Sequence, residues 1–209
     1  MKAFYLSICG AFVLMPALLS AGEFNAVISI GDPMPTFSGL PATDGSTLSA
    51  GDLKASVLVL VSLANHCPWV RGMDADLVKL VDEFAGKDVR IIGFAVNHRD
   101  DDRLPAMVEH AEQTGYNFTY VFDESQALGR ALGATRTPEY FVFDEQRRLV
   151  YMGLLYDSPA RQTPDGEIRH INGEPGRFYV ADAIRATLAG QQVAVPETRA
   201  HGCTVKYEP

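Results

Sequence analysis

The sequence predicts an α/β fold: a central mixed sheet with helices on both faces and a hairpin extension near the N-terminus. Three observations predict it. Residues 57–63 and 89–96 are continuous apolar runs rich in β-branched residues, the pattern of strands buried on both faces. Each is followed by apolar residues at helical spacing, and such strand–helix alternation implies parallel strands covered by helices. From Glu139 onward the pattern changes: residues 139–144 and 148–153 are two apolar strands joined by a tight turn, an antiparallel hairpin that makes the sheet mixed.

The remaining elements follow in order. Residues 31–37 (Gly-Asp-Pro-Met-Pro-Thr-Phe) are rich in turn formers, and residues 40–48 contain Thr43-Asp44-Gly45-Ser46, a hairpin turn. After the first long strand, Val70, Met73, Leu77, Leu80, Val81 and Phe84 recur at helical spacing and Gly86 marks the stop, which predicts one continuous helix. Residues 97–102 form a polar loop at the carboxyl end of the second strand. Leu104, Met107, Val108 and Ala111 predict a helix ending at Gly115, then a strand over 118–122 and a short helix over 125–132. Residues 156–176 are rich in Pro, Gly, Asp and Arg and read as a long loop. A last helix covers 177–188. The tail has no periodicity; Val193, Val195 and Pro196 are the residues suited to dock it, with the rest expected to be mobile.

The length of 209 residues, with 47% hydrophobic and 21% charged residues, suits one globular domain. Acidic residues outnumber basic ones by 26 to 18 and no basic run appears, which argues against nucleic acid as a partner. Lys2, the apolar stretch 4–19 broken by Ser7, Gly10 and Pro16, and the small residues Ser20-Ala21-Gly22 read as a cleaved secretory signal. The expected division is 1–21 signal peptide, 22–190 domain and 191–209 a C-terminal tail carrying Cys203. The expected destination is periplasmic or extracellular. Cleavage removes Cys9 and leaves 3 − 1 = 2 cysteines, Cys67 and Cys203. An even pair in an oxidising compartment is expected to be bonded or redox-active.

Cys67 falls in the turn between a central strand and a helix start. Unpaired backbone N–H groups there favour a thiolate, the reactive form of cysteine. His66 is its neighbour and can carry a positive charge, and Pro68 suits a first helical position. The alternative is a cysteine buried as a small hydrophobe. Trp69 either covers Cys67, offers a substrate contact or packs.

These residues resemble a known family. Ala64-Asn65-His66-Cys67 is similar to the approach to the nucleophilic cysteine of thioredoxin-like proteins, and Thr137-Pro138-Glu139-Tyr140 resembles their Thr-Pro segment. Residues 31–37 look like the opening of the redoxin branch, the alkyl hydroperoxide reductase and thiol-specific antioxidant group. Asn65-His66-Cys67-Pro68-Trp69-Val70 with the terminal Gly202-Cys203-Thr204-Val205-Lys206-Tyr207 is similar to its peroxiredoxin-like subfamily. The resemblance implies a thioredoxin-like fold, a cis peptide bond at Pro138 facing Cys67, and thiol oxidoreductase activity. It also implies that Thr137 contacts substrate. Val70, Ala64 and Arg136 stand where related proteins carry further cysteines, and Ala64 also replaces the usual peroxiredoxin threonine. Cys203 is therefore the one residue of the mature chain able to resolve an oxidised Cys67, in the same chain or across a homodimer. Arg136, beside Pro138, is a candidate for steadying the thiolate.

Three functions are open at this point. The first is an exported thiol-dependent enzyme, a peroxidase or thiol–disulfide oxidoreductase, using a peroxide or disulfide substrate and an external thiol or thioredoxin-like reductant. The second is a copper-binding protein using Cys67 and Cys203 with His66 or His201. The third is a non-catalytic scaffold with Cys67–Cys203 as a structural disulfide. The two cysteines lie far apart in sequence and His66, His98 and His201 show no ligand spacing, so no metal site and no cofactor are expected.

Overall fold

The computed structural model describes residues 22–209. The expected signal segment and Cys9 lie outside the described residues.

The N-terminal hairpin forms as expected from β1 (Leu40–Pro41) and β2 (Thr47–Leu48), with Leu40 opposite Leu48. The core sheet contains β3 (Val57–Leu63), β4 (Val89–Ala95), β5 (Thr119–Phe122), β7 (Glu139–Phe143) and β8 (Leu149–Gly153), in the spatial order β5-β4-β3-β7-β8. Strands β3, β4 and β5 run parallel, while β7 and β8 join antiparallel. The fold is thioredoxin-like. β3 is central and wholly buried because both of its faces are apolar. Val57, Val59, Val61 and Leu63 pack with Leu77, Leu80, Val180 and Ile184; Leu58 and Leu60 pack on the other face with Leu128, Leu132, Phe141 and Phe143. Alternation along a strand sends successive side chains to opposite faces, so one strand serves two helix layers. Burial of each such side chain stabilises the fold by about 1.5–3 kcal/mol. Among the described residues, no helix is long and apolar enough to cross a membrane.

The single helix expected after β3 is instead two: α1 (Pro68–Arg71) and α2 (Asp74–Glu83). At the junction Met73 departs from ideal helical geometry, at φ −118° and ψ 0°, and the adjacent Gly72 makes a close approach. The expected loop 156–176 contains a hairpin, β9 (Ala160–Gln162) and β10 (Ile168–His170), and its first strand lies on Gly72. A Cβ there would stand 2.5 Å from Arg161 Cα and 2.6 Å from Ala160 O. The sequence reads there as a loop because strands of three residues are too short to show alternation. The helices α3 (Leu104–Thr114), ending at left-handed Gly115, α4 (Ala127–Ala131) and α5 (Tyr179–Leu188) lie where helical spacing puts them.

The tail is the largest departure. It is docked, not mobile. Met152 N–H donates to Pro196 O and Thr198 N–H to Met152 O, both at 3.0 Å. Farther on, β11 (Cys203–Thr204) pairs antiparallel with β6 (Arg136–Thr137), a strand too short to predict. Val205 is buried, and Tyr207 OH donates to Ala134 O at 2.7 Å.

Gly72 lies in right-handed helical geometry, at φ −69° and ψ −20°. On propensity alone, Gly72→Ala gains about 1 kcal/mol. The backbone of β9 cannot yield as a side chain would, so the overpacking term of about 1–3 kcal/mol wins. Urea unfolding of Gly72→Ala is expected to show a lower midpoint than the parent; a higher one would mean that β9 moves aside freely.

Candidate active site

Cys67 is placed by the strand before it and the helix after it. β3 ends at Leu63, and the turn Ala64-Asn65-His66 closes with Cys67 N–H donating to Ala64 O at 3.0 Å. Cys67 precedes α1 in extended geometry, and Pro68 takes the first helical position, where a missing N–H costs nothing. The side chain is fully buried. Its thiol donates to Thr137 O at 3.1 Å, and the Thr137–Pro138 bond is cis, facing Cys67.

The tail brings Cys203 to the same place. In the β6–β11 pair Cys203 is in register with Thr137 and Thr204 with Arg136. The approach is so close that a Cβ on Gly202 would stand 2.1 Å from Thr137 O and 2.7 Å from its carbon. Both thiols are free, Cys67 buried and Cys203 partly exposed. The Cys203 thiol, next to the Cys67 sulfur, is the main reason that the Cys67 pKa falls to about 6. Burial opposes the fall. The Thr137 hydroxyl and the N–H groups of Val70 and Cys203 add to it. That hydroxyl is buried and makes no other hydrogen bond among the described residues, which leaves it available to a thiolate on Cys67. Cys203 is pushed upward for the complementary reason: its proton is shared with Cys67, and a second negative charge beside the first is resisted. The pair thus favours the thiolate on Cys67 and keeps the proton on Cys203.

A second set of contacts fixes the turn. Asn65 Nδ2 donates to Asp101 O at 2.8 Å, Tyr120 OH donates to Asn65 Oδ1 at 3.1 Å, and Arg71 Nε donates to Asn65 O at 2.8 Å. His66 Nδ1 donates to the buried carboxylate of Asp102, at 2.5 Å from Oδ2, and His66 N–H donates to Oδ1 at 3.2 Å. The Asp102 carboxylate raises the His66 pKa and favours its cationic form. Asp102 escapes sequence reasoning because three consecutive aspartates do not tell which one turns inward. Among the described residues, His66, Asp101 and Asp102 can bring ligand atoms within 4.8 Å of one another. The imidazole Nδ1 is already bonded to Asp102, and neither cysteine belongs to the group.

Arg136 is not the cation beside the thiolate that its sequence position suggests. Its Nη1 donates to Thr204 Oγ1, which the tail brings alongside β6, and to the neighbouring Thr135 O, both at 3.1 Å. Trp69 is half-buried, with its ring edge-on to His201 at 4.3 Å, so it flanks the tail. Thr137 supplies Cys67 with both a carbonyl and a hydroxyl. Glu139 is a further residue that no sequence signal marks. Its buried Oε2 accepts the N–H groups of Thr135 at 2.8 Å and Arg136 at 3.0 Å, holding β6 in place, and burial raises its pKa.

The thiol pair has a definite pH signature. The ultraviolet absorbance of the reduced protein should show one thiolate formed with a midpoint near 6 and the second thiol protonated well into the alkaline range. Cys203→Ala removes the largest cause and should move the Cys67 midpoint upward. Stability follows by linkage. An unfolded cysteine ionises at about 8.5. The depressed Cys67 pKa makes the reduced fold gain stability as pH rises from about 6 to that value. Above it, unfolded Cys203 ionises while folded Cys203 does not, so stability falls again. A profile of unfolding free energy against pH identical in the parent and Cys67→Ser would contradict this.

Comparison with known proteins agrees with this geometry. The Redoxin family profile matches residues 29–167. An uncharacterized conserved protein from Geobacillus kaustophilus is similar at 30% identity, over 86% of this chain and 93% of that one, with a TM-score of 0.77. A hypothetical protein from Sinorhizobium meliloti 1021 is similar at 27% identity, over 87% and 96%, with a TM-score of 0.76. A thiol:disulfide interchange protein of the thioredoxin family from Chlorobium tepidum TLS shares the fold at 21% identity, over 77% and 99%, with a TM-score of 0.55. Comparison with curated proteins gives no match. With its strand-to-helix cysteine, its cis-proline and this span of matched sequence, the chain belongs to the Redoxin family.

Proposed function

We propose that this protein is an exported thiol–disulfide redox enzyme that cycles between a Cys67/Cys203 dithiol and a Cys67–Cys203 disulfide. One observation carries the reading: a tail strand in register with Thr137 brings a second free cysteine onto a buried, acidified first one. In the oxidative half, the Cys67 thiolate attacks a sulfur of a substrate disulfide. The substrate S–S bond breaks, one substrate thiolate leaves, and a mixed disulfide forms. Cys203 then attacks Cys67, releasing the second substrate thiol and closing the internal disulfide. With a hydroperoxide the same thiolate takes one oxygen, an alcohol or water leaves, and Cys203 displaces water from the sulfenic acid. An external thiol restores the dithiol. The geometry favours disulfide exchange: Ala64 offers no hydroxyl, and the Arg136 guanidinium bonds Thr204, so the groups a peroxide would need are elsewhere. The exchanging pair is complete within one chain, and the reaction does not require a homodimer.

Export rests on Lys2, the apolar stretch 4–19 and Ser20-Ala21-Gly22. Amino-terminal sequencing of the protein from the exported fraction should begin near residue 22; a retained Met1 would remove this part of the reading.

Stoichiometric oxidation of the reduced protein, followed by non-reducing peptide mapping, tests the chemistry. A small disulfide or hydrogen peroxide should give a Cys67–Cys203 peptide that small thiols reduce readily. In Cys203→Ser, Cys67 should be trapped as a mixed disulfide. Over-oxidation of Cys67 with Cys203 left as a thiol would reject Cys203 as the resolving residue. A disulfide that resists reduction would favour a structural staple.

A further inference from the structure

Two backbone N–H groups near the start of the described residues converge on one carboxylate of the tail. Glu23 N–H donates to Glu197 Oε2 at 3.0 Å, and Phe24 N–H donates to Glu197 Oε1 at 2.7 Å. Glu197 is half-buried, and among the described residues no Lys, Arg or His side chain forms an ion pair with it. The cation two residues away, Arg199, lies over the Phe24 ring at 5.1 Å instead. Asn25 fixes the course of this strap: it is buried, and its Nδ2 donates to Leu132 O at 2.8 Å. Upstream the strap runs close to the same carboxylate. A Cβ on Gly22 would stand 2.5 Å from Met152 Cε and 2.7 Å from Glu197 Oε1. Glu197 therefore offers a full negative charge to a place where the unprocessed chain brings only neutral amides. The sequence adds a second observation. A cut after Gly22 puts the small residues Ser20 and Gly22 at positions −3 and −1, whereas a cut after Ala21 puts Leu19 at −3.

Resting on the export reading above, we propose that the signal is cut between Gly22 and Glu23, one residue beyond the expected division, and that Glu197 receives the α-ammonium so released. A signal peptidase supplies the cut, and water is the co-reactant. The Gly22–Glu23 amide bond breaks, the Gly22 carbonyl carbon takes the hydroxide and leaves as the carboxylate of the signal, and the Glu23 nitrogen becomes an amine. An α-amine with an ordinary pKa of about 7.7–8.0 takes up a proton at neutrality. The donor at 3.0 Å from Glu197 Oε2 then changes from a neutral amide to a cation. A hydrogen bond between two charged groups is roughly twice as strong as one between neutral groups. The new ion pair ties the amino terminus to a tail segment already bonded to β8, where Pro196 and Thr198 flank Glu197 on Met152. Glu197 precedes Cys203 by 203 − 197 = 6 residues, so processing adds a fastening on the segment that leads to the second thiol.

Amino-terminal sequencing of the exported protein tests the cut and should give Glu23-Phe24-Asn25. A chain that starts at Gly22 would overturn the proposed cut and leave export standing; one that keeps Met1 would overturn both. The ion pair is tested on two chains released from a fusion partner without added residues. One starts at Glu23. The other keeps Ser20-Ala21-Gly22, which carries its ammonium up to about 10 Å farther along the chain. NMR titration of the isotope-labelled α-amine in the Glu23 chain should give a pKa above the ordinary range, because a neighbouring carboxylate favours the charged form. Glu197→Gln keeps an oxygen acceptor and removes the charge, and should return the α-amine to about 7.7–8.0. In urea unfolding at pH 7 the Glu23 chain should have a folded-to-unfolded ratio about two- to fivefold above that of the longer chain. In the Glu197→Gln background the two chains should have the same ratio, and about 1 M salt should narrow the gap between the parent chains. An ordinary α-amine pKa in the Glu23 chain, or a gap that survives Glu197→Gln unchanged, would overturn the ion pair whatever the sequencing shows.

Discussion

Two residues of backbone pairing, Cys203 against Thr137 and Thr204 against Arg136, are the constraint on which the site depends. They put a thiol donor beside a sulfur that the core has removed from water. Burial alone would raise the Cys67 pKa and leave an inert thiol. Hydrogen bonds to a charged group stabilise it by about 1.5–3 kcal/mol each. The Cys203 thiol, the Thr137 hydroxyl and two N–H groups together outweigh the desolvation, and the pKa falls instead.

The pairing is itself maintained from several directions. Glu139 holds Thr135 and Arg136 from below. Gly202 permits a contact that no side chain would allow. Beyond Cys203, Lys206 N–H donates to Asn97 Oδ1 at 2.8 Å, Gln126 Nε2 donates to Lys206 O at 2.9 Å, and Glu208 N–H donates to Gln126 Oε1 at 2.7 Å. Arg130 lies over the Tyr207 ring at 4.7 Å and bonds Glu208 O. Before Cys203, Gly153 has a positive φ of 132° and admits the Thr198 hydroxyl where a Cβ would collide at 2.1 Å. The segment carrying Cys203 is therefore fastened on both sides, with its thiol held next to Cys67.

Much of this is legible in the sequence where the signal is local and repeated. The buried strands, the Cys67 turn, the cis peptide bond and the antiparallel hairpin all rest on apolar runs, spacing or a short motif. What escapes is set by contacts between distant segments. The close approach at Gly72 involves the backbone of Arg161, and Asp102 turns inward to His66. β6 and β11 are two residues each, below the length at which alternation can be read. The orientation of Arg136 was not inferable for a related reason: its position beside Pro138 is local, but its acceptor, Thr204, comes from the tail.

The double fastening of the tail has a thermodynamic consequence. Cys67 and Cys203 are 203 − 67 = 136 residues apart, and in an unfolded chain closing a loop of that size costs about 5 kcal/mol of entropy. The fold meets that cost in advance and presents the sulfurs to each other at a high effective concentration. Around the closed cycle of folding and oxidation, whatever the docked tail contributes to bond formation, the bond returns to the docked tail. In the proposed dithiol–disulfide cycle, the reduction potential of the pair would therefore register distant anchors such as Tyr207 and Gln126 once their loss lets the reduced tail release. Beyond the point at which the reduced tail releases, each further kilocalorie per mole of docking lost would make that disulfide more oxidising by about 20 mV. Evolution can retune the chemistry of this site without touching either cysteine.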